Sequence, residues 1–273
     1  MINTQVRIEN LLVVKIGGGE GLDMECCVAD LARLAAERPV IVVHGVSAAM
    51  NALCAERGIP VRTITSPTGH SSRYTDPETR DVFVEAATAV NDELVDALRA
   101  RGINATGMTE SVVLQGERKT AIRALVDGRI RMIRDDYSGS INGVNVEPLL
   151  DALNAGYIPV VPPFADSDDG LLNVDGDRAS AAIAGMLGAA ELVILSNVRG
   201  LYRSFPDEAS FVSRVEAREL ERALEWAQGR MKRKVLGAQE ALESGVRRVV
   251  IADGRADAPV TGALGGAGTE FLS

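Results

Sequence analysis

Five short runs are apolar along nearly their whole length: LLVVKI (11–16), VIVVH (40–44), YIPVV (157–161), ELVILS (191–196) and RRVVIA (247–252). A strand that is apolar on both faces has to be covered on both faces. Between the runs lie stretches with helical periodicity, over 23–37, from Gly45 to Ala55, over 78–101, 177–187 and 229–244. In 78–101 the apolar positions Val82, Phe83, Ala86, Val90, Leu94 and Leu98 recur at three- and four-residue spacing. Strands alternating with helices predict an α/β fold, a three-layer sandwich around a mainly parallel central sheet. The acidic, turn-rich ADSDDG (165–170) divides it into an N-terminal lobe, 1–170, and a C-terminal lobe, 171–273.

One segment breaks the pattern. ERKTAIRALVDGRIRMIR (117–134) holds Arg118, Lys119, Arg123, Arg129, Arg131 and Arg134 in a chain whose formal net charge is −9. Asp127-Gly128 between two alternating runs predicts a projecting β-hairpin near 118–134. Nucleic acid is a poor candidate for these cations. The chain as a whole is acidic, and only 4% of it is aromatic, which leaves little surface for stacking bases. The plain alternative is a solvated face that keeps an edge strand from pairing with another chain.

Hydrophobic residues make up 46% and charged residues 25%, as expected of a globule with a sizeable core. Cys26, Cys27 and Cys54 form no CxxC pair and no Cys/His cluster. The sequence therefore predicts neither a disulfide framework nor a protein-held metal, and a cytoplasmic location follows. The opening MINTQVRIEN lacks the apolar core of a signal peptide, and no apolar run reaches the roughly 18 residues of a membrane span.

Three segments could hold phosphate. KIGGG (15–19) puts Lys15 in an apolar strand ahead of Gly17, Gly18 and Gly19. Glycines let main-chain N–H groups close on an anion, and a lysine adds a point charge. A lysine snorkelling from a strand end accounts for the same residues. In VVHGVSAAMN, a strand leads through Gly45 into a helix start, either a second anion site or an ordinary turn capped by Ser47. His44 reads as structural. Asp177 in NVDGD (173–177) is either a helix cap or a carboxylate that orients lysines. The helix opening at GRMKRK (229–234) is basic in its first turn, against the helix dipole, which suggests that those charges serve a ligand.

KIGGG, VVHG, SSRYTD (71–76), NVDGD, LSNVRGLY (195–202) and GRMKRK occur in the order seen in the amino-acid kinase family, and the chain resembles its acetylglutamate-kinase branch over nearly its whole length. ERKTAIR, DDYSG (135–139), AQGRMKRK and GAGT (266–269) resemble the kinases that act on aminoadipate attached to a small acidic carrier protein, LysW. The resemblance implies transfer of the γ-phosphoryl group of ATP to a side-chain carboxylate, with Mg²⁺ riding on the phosphates. It implies acceptor binding in the N-terminal lobe and ATP in the C-terminal lobe. Lys15 and Lys234 resemble the lysines of the transferring and leaving oxygens, and Asp177 the carboxylate that holds both. Gly45, Val46, Arg73 and Asn173 resemble the acceptor site, with Val46 where many relatives have a second glycine. Gly17, Gly18, Gly19, Ser196, Asn197, Leu201 and Tyr202 resemble the nucleotide site. The six cations of 118–134 become a docking surface for LysW. About ten residues precede the first strand, too few for a helix that links hexamers, so a homodimer is expected. Two readings stay open beside this one. The first is a kinase of free N-acetylglutamate, or of carrier-bound glutamate as well. The second is a non-catalytic sensor on the same fold, which Lys15, Asp177 and Lys234 together argue against.

Overall fold

The computed structural model describes residues 7–67, 71–126 and 129–273. Along the chain run β1 (Leu12–Ile16), α1 (Met24–Ala35), β2 (Val40–His44), α2 (Ser47–Glu56), β3 (Thr63–Thr65), β4 (Ser71–Arg73) and α3 (Pro77–Arg99). Then come β5 (Ala105–Gly107), β6 (Leu114–Arg118), β7 (Ile122–Val126), β8 (Arg129–Ile133), β9 (Gly139–Val144), α4 (Glu147–Asn154), β10 (Ile158–Val161), β11 (Phe164–Asp166) and β12 (Leu172–Asn173). The remainder comprises α5 (Gly176–Met186), β13 (Glu191–Ser196), β14 (Leu201–Tyr202), β15 (Phe211–Val212), β16 (Arg214–Glu216), α6 (Leu220–Trp226), α7 (Arg230–Glu243), β17 (Arg248–Asp253), α8 (Pro259–Leu264) and β18 (Thr269–Leu272).

The central sheet has the order β16-β18-β17-β13-β1-β2-β10-β5. Neighbours are parallel except β17 and β18. All five apolar runs lie in this sheet, as their two-faced hydrophobicity requires. Alternation along β1 sorts its side chains. Val13 joins Ile41, Ile194 and Ile251 under Ile183 of α5 and Val235 of α7. Leu12, Val14 and Ile16 pack on the other face with Leu31 of α1, Leu98 of α3 and Val260 of α8. Lys15 shares the parity of Val13 and therefore rises toward α5 and α7. Caps fix the helix starts: Asp23 accepts from the Cys26 N–H at 2.9 Å, and Asp76, ahead of Pro77, accepts from the Thr79 N–H at 2.9 Å.

Two four-stranded sheets lie outside the central one, β12-β11-β6-β9 and β4-β3-β7-β8. The expected hairpin is β7 with β8, paired antiparallel from Ile122↔Ile133 to Val126↔Arg129. Its Asp127-Gly128 turn lies outside the described residues. Two expectations for this segment need correction. Arg118 is not on the hairpin. It ends β6, and its guanidinium lies against the Tyr137 ring at 4.1 Å, donates to the Asp136 and Arg134 carbonyls and pairs with Asp169 at 3.1 Å. An arginine so engaged serves the fold. The remaining cations also do not share one face. The register places Arg123 opposite Met132 and Leu125 opposite Ile130, while Arg129 and Arg131 oppose Val126 and Ala124 on the other side. Leu125, Ile130 and Met132 are exposed, so the outer face is apolar as well as basic.

Candidate active site

The site opens where β1, β2 and β13 end, at the carboxyl edge of the sheet, where open α/β sheets bind ligands. A cavity of about 580 Å³ is lined there by Lys15, Gly17, Gly18, Gly19, Gly45, Val46, Arg73, Asn173, Asp177, Ser196, Asn197, Leu201, Tyr202 and Lys234. All the catalytic, acceptor and nucleotide residues expected from the sequence are therefore neighbours, though they span more than 200 positions of chain.

Asp177 is buried at the centre. Its carboxylate lies 2.8 Å from Lys15 Nζ and 3.1 Å from Lys234 Nζ. The helix-cap reading of Asp177 is wrong. Asp175 caps α5, accepting from the N–H groups of Asp177 and Arg178 at 3.0 and 3.1 Å, which leaves the Asp177 carboxylate to the lysines. Burial alone would raise the Asp177 carboxyl, but the ammonium groups of Lys15 and Lys234 outweigh it and hold the carboxyl well below the usual range. For Lys234, burial dominates and lowers its pKa, partly offset by Asp177 and reinforced by Lys15. Two ammonium groups sharing one carboxylate leave a net positive floor, suited to a multiply charged anion.

The two glycine loops meet backbone to backbone. A Cβ on Gly18 would come within 2.2 Å of Gly45 C and Val46 N, which only a glycine permits. The Gly18 carbonyl accepts from the Ala48 N–H at 2.6 Å and so serves the start of α2. Ser47 is not the cap expected of it. It is the first helical residue, and no side chain caps α2. The N–H groups of Gly17 and Gly45 are already given to Leu195 O and Ile16 O, at 3.1 and 2.9 Å, so these two glycines shape the cradle without offering it their amides. Val46 has φ −134°, ordinary for a branched residue, and its side chain packs among Met50, Cys54 and Phe83. The valine also borders the cavity.

His44 is 1% exposed at the end of β2. Its Nε2 lies 3.1 Å from Asn91 Nδ2, which also donates to Val160 O. Burial lowers its pKa from 6.5 to about 4, opposed by the Gly45 carbonyl and reinforced by Lys15, so the ring is neutral and structural, as expected.

Three separate motifs converge around Arg73 and Asn173, the residues expected to bind the acceptor. Asp136, 1% exposed, accepts from the N–H groups of Thr75 and Ser138 at 3.0 and 2.7 Å. The Thr75 hydroxyl accepts from Asn173 Nδ2 at 3.1 Å. Arg73 donates through Nη2 to Asn51, while its enclosed Nη1 has no partner among the described residues. Neither Asp136 nor Thr75 was singled out from the sequence, because each acts only through contacts far along the chain. Lys119, assigned to docking, also lines the cavity, with Arg230, Phe205 and Trp226. Phe205 is 58% exposed and stands edge-on to Tyr202, with ring centroids 5.5 Å apart. Arg203 and Arg222 flank the Trp226 ring. As the chain's single tryptophan in a composition poor in aromatics, Trp226 was a signal available to sequence reading.

The profile described as the Amino acid kinase family matches residues 10–253. The chain belongs to this family. Among its relatives is a LysW-aminoadipate kinase of Deinococcus radiodurans, 43% identical over 269 residues, 97% of this chain and 92% of the relative. A LysW-aminoadipate kinase of Thermus thermophilus is 42% identical over 267 residues, 95% of this chain and 99% of the relative. The fold matches N-acetylglutamate synthase from Neisseria gonorrhoeae at TM-score 0.79 and 28% identity, covering 99% of this chain and 61% of that longer one. It also matches carbamate kinase from Giardia lamblia, bound to AMP-PNP, at TM-score 0.66 and 15% identity, covering 97% of this chain and 98% of the other. The α/β fold with a mainly parallel sheet is thus the family's own.

Proposed function

We propose that the chain transfers the γ-phosphoryl group of ATP to the side-chain carboxylate of α-aminoadipate carried on LysW, giving an acyl phosphate for lysine biosynthesis. The observation that carries this reading is the Asp177 carboxylate held between Lys15 and Lys234 on the cavity floor. Full-length similarity to two LysW-aminoadipate kinases supports the choice of acceptor. The acceptor oxygen is already anionic. It attacks Pγ, the bond from Pγ to the ADP oxygen breaks, and no proton has to move. A neutral, buried His44 suits a reaction without a general base. Lys15 steadies the transferring group, Lys234 the leaving oxygen, and Asp177 fixes both ammonium groups before substrate arrives. Such fixed charges act where negative charge redistributes.

In this reading 1–170 form the acceptor lobe and 171–273 the ATP lobe, although β12 pairs with β11 across that boundary. Gly18 and Gly19, Ser196, Asn197, Leu201 and Tyr202 take the nucleotide, with Phe205 and Trp226 offering ring faces to the base. Gly45, Val46, Arg73 and Asn173 take the acceptor. Mg²⁺ bound to the nucleotide phosphates would supply further charge neutralisation. Among the described residues no group of three His, Cys, Asp or Glu could hold a metal, and Asp177 is committed to its lysines. The enzyme works in the cytoplasm as a homodimer. The hairpin cations Arg123, Arg129, Arg131 and Arg134 steer the acidic carrier, and the apolar Leu125, Ile130 and Met132 give it a surface to bury.

Hydroxamate trapping of the acyl phosphate tests the reaction, with carrier-linked aminoadipate, carrier-linked glutamate and free N-acetylglutamate compared side by side. Carrier-linked aminoadipate should have the highest kcat/KM. Preference for N-acetylglutamate would favour the free-acceptor kinase, and no product from any acceptor would favour a sensor. Reversing Arg123, Arg129 and Arg131 to Glu should lower kcat/KM for the carrier-linked acceptor by about tenfold or more at low salt, and leave N-acetylglutamate unaffected.

A further inference from the structure

The first turn of α7 carries more charge than the phosphate reading uses. Arg230, Lys232, Arg233 and Lys234 occupy it with no acidic residue and no side-chain cap. Lys234 belongs to Asp177. Arg233 reaches out of the helix to the Ser71 carbonyl on β4 and lies 3.6 Å from Asp175. This bond sets the start of α7 against β4, the strand that ends in Arg73. Arg230 lies three residues before Arg233 and four before Lys234, so it shares their side of the helix. Its Nη1 lies 3.4 Å from the position of a Cβ on Gly19, and it lines the same cavity as Arg73. No acid pairs with Arg230 among the described residues, although 38 Asp and Glu are available in the chain.

Arg73 presents the complementary half. Its Nη2 is engaged by Asn51, and its Nη1 is enclosed without a partner among the described residues. Its pKa is lowered chiefly by burial, which Cys54 opposes and the charge of Arg230 reinforces to a smaller degree. Two guanidiniums that repel across a cavity, one with an enclosed and unanswered N–H, are stable as a pair once an anion lies between them. The transferring phosphoryl group already has Lys15, Lys234 and the Gly18 loop. Arg73, which carries the unanswered N–H, ends β4 and bonds Asn51, and Arg230 stands beside Gly19 on the lining of the same cavity.

We infer that Arg230 is a further acceptor-binding residue, which closes opposite Arg73 on the acceptor carboxylate that is not phosphorylated. This inference rests on the acyl-acceptor reading of the cavity and adds a second guanidinium to it. It also accounts for cations where the helix dipole disfavours them.

The test compares two acceptors, carrier-linked aminoadipate and the same compound with its non-reacting carboxylate converted to a carboxamide, in wild type and Arg230→Gln. The variant should raise KM about 10- to 100-fold for the acid, leave kcat within about threefold, and leave KM for the amide unchanged. Arg230→Lys keeps the charge without the fork and should recover part of the preference for the acid. A fall in kcat shared by both acceptors would assign Arg230 to the phosphoryl group and overturn the inference. Equal rises in KM for acid and amide, or no change, would overturn it too. Calorimetric titration of N-acetyl-L-glutamate and its α-carboxamide into the full chain needs no turnover, so it separates this inference from the proposed reaction. Wild type should prefer the acid and Arg230→Gln should lose that preference; a wild type without the preference overturns the clamp.

Discussion

Lys15 is 6% exposed, on a strand that otherwise carries only core residues. A buried ammonium group is tolerated when a carboxylate meets it, and Asp177 does so at 2.8 Å. In the proposed reaction the same ammonium would lie where charge moves during transfer. Lys15→Ala should therefore lower kcat about 10²- to 10³-fold while KM for ATP changes less than about fivefold, as steady-state kinetics would report. A change confined to KM would contradict the assigned role. His44 makes a separate prediction. The unfolded chain binds a proton there below pH 6.5, but the folded chain does so only near pH 4. Stability therefore falls as pH drops through that window, by roughly 3 kcal/mol at its lower end. The Asp177 carboxyl, held low in the fold, adds to the loss only below about pH 5, where the unfolded carboxyl begins to take up a proton. Urea unfolding at pH 7 and pH 4.5 should show this loss in wild type and a much smaller one in His44→Gln.

At the scale of elements, the strand-to-helix turns make the site. The loops after β1 and β2 pack main chain to main chain, and the sequence displayed this as glycines at each strand end. What the glycines do was not legible. Gly17 and Gly45 spend their amides on neighbouring backbone, and Gly18 is the position with no room for a side chain. Gly18→Ala should therefore separate the two loops, lowering kcat/KM by at least about tenfold, whereas Gly21→Ala, at φ +87° but with open space around it, should affect stability and leave kcat/KM near wild type. The basic run had a similar history. Alternation and Asp-Gly identified a hairpin, but the assignment of all six cations to one water-facing surface failed. Arg118 is drawn inward by Tyr137 and Asp169, and cross-strand register puts Arg123 on one face and Arg129 and Arg131 on the other.

Across the whole molecule, the proposed lobe boundary does not cut the core. β1 lies between β2 and β13, and one apolar cluster contains Val13, Ile41 and Leu114 together with Leu192, Ile251 and Phe271. Arg233 adds a polar tie from α7 to β4. We expect one cooperative unfolding transition, with Trp226 fluorescence and far-UV circular dichroism tracing coincident curves in urea. Two resolved transitions would mean that the halves fold independently.

Hydrophobic pattern and punctuation determined the larger features. Strands apolar on both faces dictate a covered parallel sheet, and glycines and capping residues mark its turns, because backbone geometry and burial of local segments are properties of adjacent residues. The order of short motifs also identified the family. The choice of partners belonged to tertiary structure. Whether Asp177 capped a helix or held two lysines depended on Asp175 taking the cap and on α5 and α7 lying over the same face of β1. The Asp136–Thr75–Asn173 network and the placing of Arg230 and Arg73 on one cavity follow the same rule. Electrostatics and hydrogen bonding act over a few ångströms, and only the folded chain decides which residues come within that reach.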